Sequence, residues 1–227
     1  MKKLFVTCML LCIASVSISC GNSKSTPTRF RLVHAAPLTS NVDLLVDTSV
    51  VVPNLPYAAT SGYKNIKAGS RQVQVRPAGD TTTFLIDTTI SITDRQDTTL
   101  LLADFPGLLA LPQITDDNTA PTTGNAKIRI LHASPSAGLV DVYFTTAGAD
   151  INSATPTYSN VQFENASSYT ALAAGTYQMR FTPAGTKFVF LDAGNVSLVD
   201  QQIRTYVLLD SPNGGGPFTI LPLADLN

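Results

Sequence analysis

The sequence predicts an all-β protein made of two tandem antiparallel β-sandwich domains behind a cleavable leader. Three observations lead there. Short runs of alternating apolar and polar residues recur between Gly- and Pro-marked turns, with no sustained 3.6-residue period. The chain repeats itself at an offset of about 100 residues. Its charged fraction is only 14%, and Glu164 is its single glutamate, a composition poor in the Glu and Lys that exposed helices favour.

The leader comes first. Lys2 and Lys3 give a positive start, and Leu4 to Val16 is an apolar run. That run is shorter than the roughly 20 residues a membrane-spanning helix needs, and suits a signal peptide. Val16-Ser17-Ile18-Ser19-Cys20-Gly21 resembles a bacterial lipobox, with small residues ahead of a cysteine that becomes lipidated, although Ser17 stands where leucine is commonest. Residues 1–19 are therefore read as a signal peptide, and residues 20–28 as lipidated Cys20 followed by a polar tether. Several acyl chains on Cys20 would hold the protein stably to a membrane. The eight residues after Cys20 would span roughly 15 Å as a coil. Gly21 in place of aspartate favours the outer membrane by resemblance to a known sorting rule, with the periplasmic or surface face left open. Cys8 and Cys12 belong to the leader, so the mature domains have no internal disulfide and no cysteine metal site.

Two domains of about 90–100 residues each bury enough surface to fold without staples. From Cys20 onward the acidic side chains exceed Lys plus Arg, giving a net charge of about −3, with no basic cluster for a phosphate backbone. Nucleic acid is not an expected partner.

The repeat sets the boundaries. Arg31-Leu32-Val33-His34-Ala35-Ala36-Pro37 returns as Arg129-Ile130-Leu131-His132-Ala133-Ser134-Pro135, and Val42-Asp43-Leu44 as Val140-Asp141-Val142, at an offset of 98. Tyr63, Pro77-Ala78-Gly79, Phe84, Asp94 and Asp104 return at an offset of 106 as Tyr169, Pro183-Ala184-Gly185, Phe190, Asp200 and Asp210. Copy two thus carries an insertion across 145–159. Residues 29–115 are read as the first sandwich, 116–126 as a polar linker and 127–227 as the second sandwich. Within copy one, strands are expected at 29–35, 42–47, 61–66, 72–76, 82–87, 89–93 and 98–103.

The Arg-x-x-His-Ala-x-Pro, Val-Asp-Val-Tyr, Ala-Gly-Thr-Tyr and Pro-Ala-Gly motifs resemble the domain of unknown function 4397 family, found in secreted and envelope proteins and often in tandem. Val33 to Pro37 and Leu131 to Pro135 match its opening motif, and Ala171 to Tyr177 and Thr182 to Thr186 its central hairpin; copy one departs with Ser70-Arg71. The resemblance implies an immunoglobulin-like sandwich and no established catalytic residue.

The candidate residues follow from the repeat. His34 and His132 share strand parity with Phe30, Leu32, Ile128 and Ile130, which makes them core-facing histidines bonded to a turn backbone. One histidine per domain without cysteine is poor material for a metal site, and no cofactor is expected. A triad of Ser134, His132 and Asp141 is disfavoured because copy one has Ala36 at the serine position. Arg31 and Arg129 have the opposite parity, and a cross-strand pairing of Arg31 with Asp43 and of Arg129 with Asp141 is expected on an exposed face. Most aspartates, such as Asp80, Asp94 and Asp200, read as turn residues, and Asn213 to Pro217 as a loose hairpin turn. If copy two has gained a ligand, the inserted loop with Asp150, Asn152 and Tyr158 is the first place to look. With no catalytic constellation, the leading expectation is a non-catalytic binding or adhesion module for a glycan or protein. A structural or assembly subunit of the envelope is the alternative, and a glycan-acting hydrolase the least favoured.

Overall fold

The computed structural model describes residues 27–105 and 107–226; the leader and Cys20 lie outside them. The first repeat holds β1 (Arg29–Ala35), β2 (Val42–Val46), β3 (Ser49–Leu55), β4 (Ala59–Thr60), β5 (Lys64–Asn65), β6 (Gly69–Pro77), β7 (Ile86–Ile92), β8 (Asp97–Phe105), β9 (Leu108–Ala110) and β10 (Gln113–Asp116). The second holds β11 (Asn125–His132), β12 (Val140–Thr145), β13 (Tyr158–Val161), β14 (Thr170–Ala173), β15 (Gly175–Pro183), β16 (Leu191–Leu198), β17 (Ile203–Leu209) and β18 (Thr219–Leu226).

Each repeat is a sandwich of two sheets. In the first, an outer sheet of order β3-β2-β6-β7 faces an inner sheet of order β10-β8-β1-β4, in which β5 also pairs with β1 and β9 with β8. In the second, the outer sheet is β13-β12-β15-β16 and the inner sheet β14-β11-β17-β18. Pairing is antiparallel except where β1 runs parallel to β8, and β11 to β17. The first strand of each repeat lies beside a strand far along the chain, which a hairpin cannot join, and that is why the parallel pairs arise.

Alternation decides the cores. Phe30, Leu32, Leu100 and Leu102 of the inner sheet meet Val42, Leu44, Val73 and Val75 of the outer one. Ile128, Ile130 and Leu208 meet Val140, Val142, Met179 and Phe181 in the second sandwich. The strand expected at 42–47 ends at Val46, that expected at 61–66 is strand only at Lys64–Asn65, and of the segments expected at 82–87 and 89–93 only Ile86–Ile92 is strand, as the single β7. Strand β3 went unforeseen because Pro53 and Asn54 break its pattern. It is an edge strand, where proline is tolerated, and Asn54 sits at φ 47° in a bulge.

The two sandwiches are not beads on a string. A third apolar cluster lies between the inner sheets: Val33, Ala35, Leu101 and Ala103 against Leu131, Ala133, Val207, Leu209 and Leu223. The molecule is therefore four stacked sheets with three apolar layers. Asp116, expected to open a linker, closes β10 and is buried, and only the residues from Asp117 onward connect the repeats.

Candidate functional site

Neither expected exposed pairing, Arg31 with Asp43 or Arg129 with Asp141, forms. β1 and β2 belong to different sheets, so parity places the two side chains on opposite outer faces of the sandwich. The face carrying Arg31 is the seam, where Arg31 and Arg129 are about 1–2% exposed.

The seam is built by duplicated residues crossing over. Arg31 donates to Asp225 at the end of β18 at 2.5 Å, to the Ala224 carbonyl at 3.3 Å and to Thr99 Oγ1 at 2.8 Å. Arg129 donates to Asp116 at the end of β10, to the Thr115 carbonyl at 3.0 Å and to Thr205 Oγ1 at 2.8 Å. Thr99 and Tyr63 donate to Asp116, and Thr205 and Tyr169 to Asp225. The Arg31 guanidinium lies 4.7 Å over the Tyr63 ring, and that of Arg129 lies 4.5 Å over Tyr169. Each arginine thus reads the carboxylate of the other repeat, a reciprocal arrangement with approximate two-fold symmetry. Burial alone would lower the pKa of Arg31, but the attraction of Asp225 and Asp116 outweighs it and raises the pKa. Burial, joined by the Asp116 carboxylate, raises the Tyr63 phenol against the pull of Arg31, so it stays a donor.

Asp43 and Asp141 have a different task. Asp43 accepts from the Asn54 N–H at 2.9 Å and the Gly79 N–H at 3.3 Å, with Arg76 Nε at 3.2 Å. Asp141 accepts from the Asn160 N–H and the Gly185 N–H, both at 2.8 Å. Asn54 and Asn160 both have positive φ, and Gly79 and Gly185 both turn the Pro-Ala-Gly loop at φ near 80°. Each aspartate therefore ties a bulge to a turn, holding backbone donors that burial would otherwise leave unpaired.

His34 and His132 are fully buried at the end of their strands. His34 Nδ1 accepts from the Ala36 N–H, and Nε2 donates to the Ser40 carbonyl at 3.1 Å. His132 Nδ1 accepts from the Ser134 N–H at 3.2 Å, and Nε2 donates to the Gly138 carbonyl at 2.6 Å. The bonding assigns one tautomer to both. Burial lowers both pKa values against the opposing pull of those carbonyls. Ser134 does not bond Asp141; its hydroxyl donates to Asp210, as does that of Ser136 at 2.7 Å.

The inserted loop does not gather its three candidate residues. Asp150 Oδ1 accepts from the Asn152 backbone and side-chain amides at 3.0 and 2.9 Å, capping a 3-10 turn over Ile151–Ser153. Tyr158 instead enters the core and donates to the Ile128 carbonyl at 2.6 Å. The Lys187 ammonium donates to Ala154 of this loop and lies 4.7 Å over Tyr143. The loop thus caps the outer sheet with its first part, and only its last residues, Thr157 to Ser159, border a groove.

Grooves of about 460 and 470 Å³ flank residues 162–169; the first is lined largely by Ser, Thr, Asn and Gln, and the second also carries Asp117, Arg129 and Glu164. The loops at one end of the molecule carry exposed apolar residues: Leu38 at 74%, Leu108 at 69% and Phe188 at 71%, with Phe84 and Leu139 less exposed. Strand register puts β1–β2, β6–β7 and β8–β9 together at that end, along with β11–β12 and β15–β16; Tyr57 bonding the Asp210 carbonyl at 2.8 Å shows that both sandwiches turn it the same way. β1 starts and β18 finishes at the opposite end. Among the described residues, no group of three His, Cys, Asp or Glu is placed to hold a metal ion, and no helix is long and apolar enough to cross a membrane.

A family model described as "Domain of unknown function (DUF4397)" matches residues 28–143, the whole first sandwich and the opening strands of the second. No protein of curated function matches the chain. Among solved structures, the Bacillus anthracis TIE protein is similar at 11% identity over 81% of this chain and 34% of its own, with a TM-score of 0.27. A leucine-rich repeat protein from Bacteroides thetaiotaomicron VPI-5482 is similar at 12% identity over 82% of this chain and 26% of its own, with a TM-score of 0.23. The chain spans about a third or less of either protein.

Proposed function

We propose, from the premise that the chain belongs to the DUF4397 family of domains of unknown function, that it is a lipid-anchored, non-catalytic binding module of the cell envelope. Its partner, a protein or glycan, meets the loop end remote from the anchor. The observation that carries this reading is polarity. The chain enters β1 at one end of the molecule, while Leu38, Leu108 and Phe188 stand out on loops at the other. A tether from Cys20 would hold the first end to the outer membrane and leave the second free. Clusters of exposed apolar residues on a stable fold commonly mark interaction surfaces. The duplicated polar residues, by contrast, are taken up with one another: Arg31 with Asp225, Arg129 with Asp116, His34 with Ser40 and His132 with Gly138.

A spacer or assembly subunit of the envelope is the second reading, favoured by the seam, which makes the two sandwiches one stiff block. Photo-crosslinkers placed at Leu108 and Phe188, and at Val50 and Val199 of the opposite end, separate the two in intact cells. Adducts confined to the first pair are expected. Equal adducts at both ends would favour the subunit, and adducts at the Val50 end alone would overturn the binding reading. Cys20→Ala is expected to release the protein from the membrane fraction, and protease access in unbroken cells then assigns the face.

A further inference from the structure

The two sandwiches close their loop-end mouths differently. In the second, Asp210 stands at the mouth and is covered by its own chain. Ser134 and Ser136 donate to it, and the Gly215 N–H reaches it at 3.1 Å from the nine-residue turn between β17 and β18. Phe218, from the end of the same turn, stacks edge-on to Phe190 at 5.0 Å. In the first, the repeat-equivalent carboxylate is Asp104. Ala36 and Leu38 replace the two serines, and β8 and β9 lie only two residues apart. No hydrogen bond or ion pair among the described residues reaches the Asp104 carboxylate. It lines an open depression of about 430 Å³ with Thr39, Leu85, Gly107, Leu108 and Leu109. Leu85 and Leu109 form its floor, packed on the first core.

We propose that this depression is a docking site for a protein segment presenting a basic side chain between apolar ones, the cation meeting Asp104 and its neighbours meeting Leu85, Leu108 and Leu109. The inference rests on the reading of the loop end as the recognition end and names the partner chemistry there. Charge complementarity selects the occupant. A carboxylate without a partner, set in an apolar frame, gains most from a guanidinium or ammonium that arrives with its own apolar flanks. An anionic membrane surface would be repelled. A divalent cation alone would find one carboxylate and one threonine hydroxyl, far short of its usual six to eight oxygens.

The test uses the chain from Gly21 to Asn227, which contains both sandwiches entire, with labelled leucine methyls. It is titrated with acetyl-Leu-Arg-Leu-amide and, separately, with acetyl-Leu-Gln-Leu-amide. The arginine peptide is expected to shift Leu85, Leu108 and Leu109 saturably, and the glutamine peptide to bind about tenfold more weakly. Asp104→Asn is expected to weaken the arginine peptide by a similar factor without moving Tm, since its side chain bonds nothing among the described residues. Equal affinity for both peptides, or no loss in Asp104→Asn, overturns the role of Asp104. Saturable shifts confined to Leu139 overturn this site but leave the loop-end reading standing. No saturable shift at any loop of that end removes both. Saturation by calcium chloride alone at the same methyls overturns the peptide as occupant.

Discussion

Arg31 and Arg129 occupy matching positions in the two repeats and make matching bonds; Asp104 and Asp210 also occupy matching positions, yet one is bare and the other wrapped by three donors. The difference lies in what surrounds each pair. At the seam, each repeat is the other's environment, so a change in one copy is felt at once as an unpaired buried charge in its partner. At the mouths, a bond crosses between the repeats from Tyr57 to the Asp210 backbone carbonyl, but among the described residues neither carboxylate is held by the other sandwich, so their surroundings were free to diverge. Duplication held where the two halves constrain each other and relaxed where they do not.

Breaking the seam should have the largest effect. Removing one member of a buried ion pair costs about 3–5 kcal/mol. Asp116→Asn and Asp225→Asn should therefore each lower Tm by roughly 10 °C, and by similar amounts, because each carboxylate holds one arginine, one threonine and one tyrosine in matching hydrogen bonds, Asp116 having in addition the longer 3.7 Å approach of Arg31. Thermal unfolding checks this; a loss at one site and none at the other would end the symmetric account. Both sandwiches should melt in one transition, since the apolar layer of Val33, Leu101, Leu131 and Val207 joins them.

Next come the bulge clamps. Asp141→Ala leaves the Asn160 and Gly185 amides without their acceptor, at about 1–3 kcal/mol for each buried donor that finds no substitute. Hydrogen exchange should quicken at those two amides before it changes in the first sandwich.

The mouths give the direct contrast. Asp210→Asn, with three donors to rearrange, should cost about 1–3 kcal/mol, whereas Asp104→Asn should stay within about 0.5 kcal/mol of the parent. Chemical denaturation of the two variants side by side measures it, and equal losses would mean that Asp104 has a structural task after all.

The smallest effect concerns pH. Burial lowers the pKa of His34 and His132 in the folded state below the ordinary value of 6.5. The unfolded chain therefore takes up protons first as the pH falls. The histidine contribution is fully present above about 6.5 and is lost as pH falls through that value towards the folded pKa. Stability should decline gently from pH 7 to 5.5, and the decline should flatten in His34→Gln compared at the same temperature.

Much of the architecture was legible in the residues. The period of two in Leu32, Val42, Leu44, Val73 and Val75 determines which face is core, and the repeat at 98 and 106 residues announces two copies. Core parity also determines that His34 and His132 point inward, because alternation is a local property of a strand. Strand β3 escaped because Pro53 and Asn54 disguise an edge strand. Arg31 and Asp43 were misread as partners because alternation tells a face from its opposite but not which sheet lies alongside. That Arg31 would meet Asp225, 194 residues away in sequence, depends on two inner sheets stacking face to face. The same stacking turns a charged outer face into a buried seam, and it aims both sets of loops to one end. Sequence fixes side-chain alternation through covalent geometry alone; only the packing of one repeat on the other decides which of those faces ever meets water.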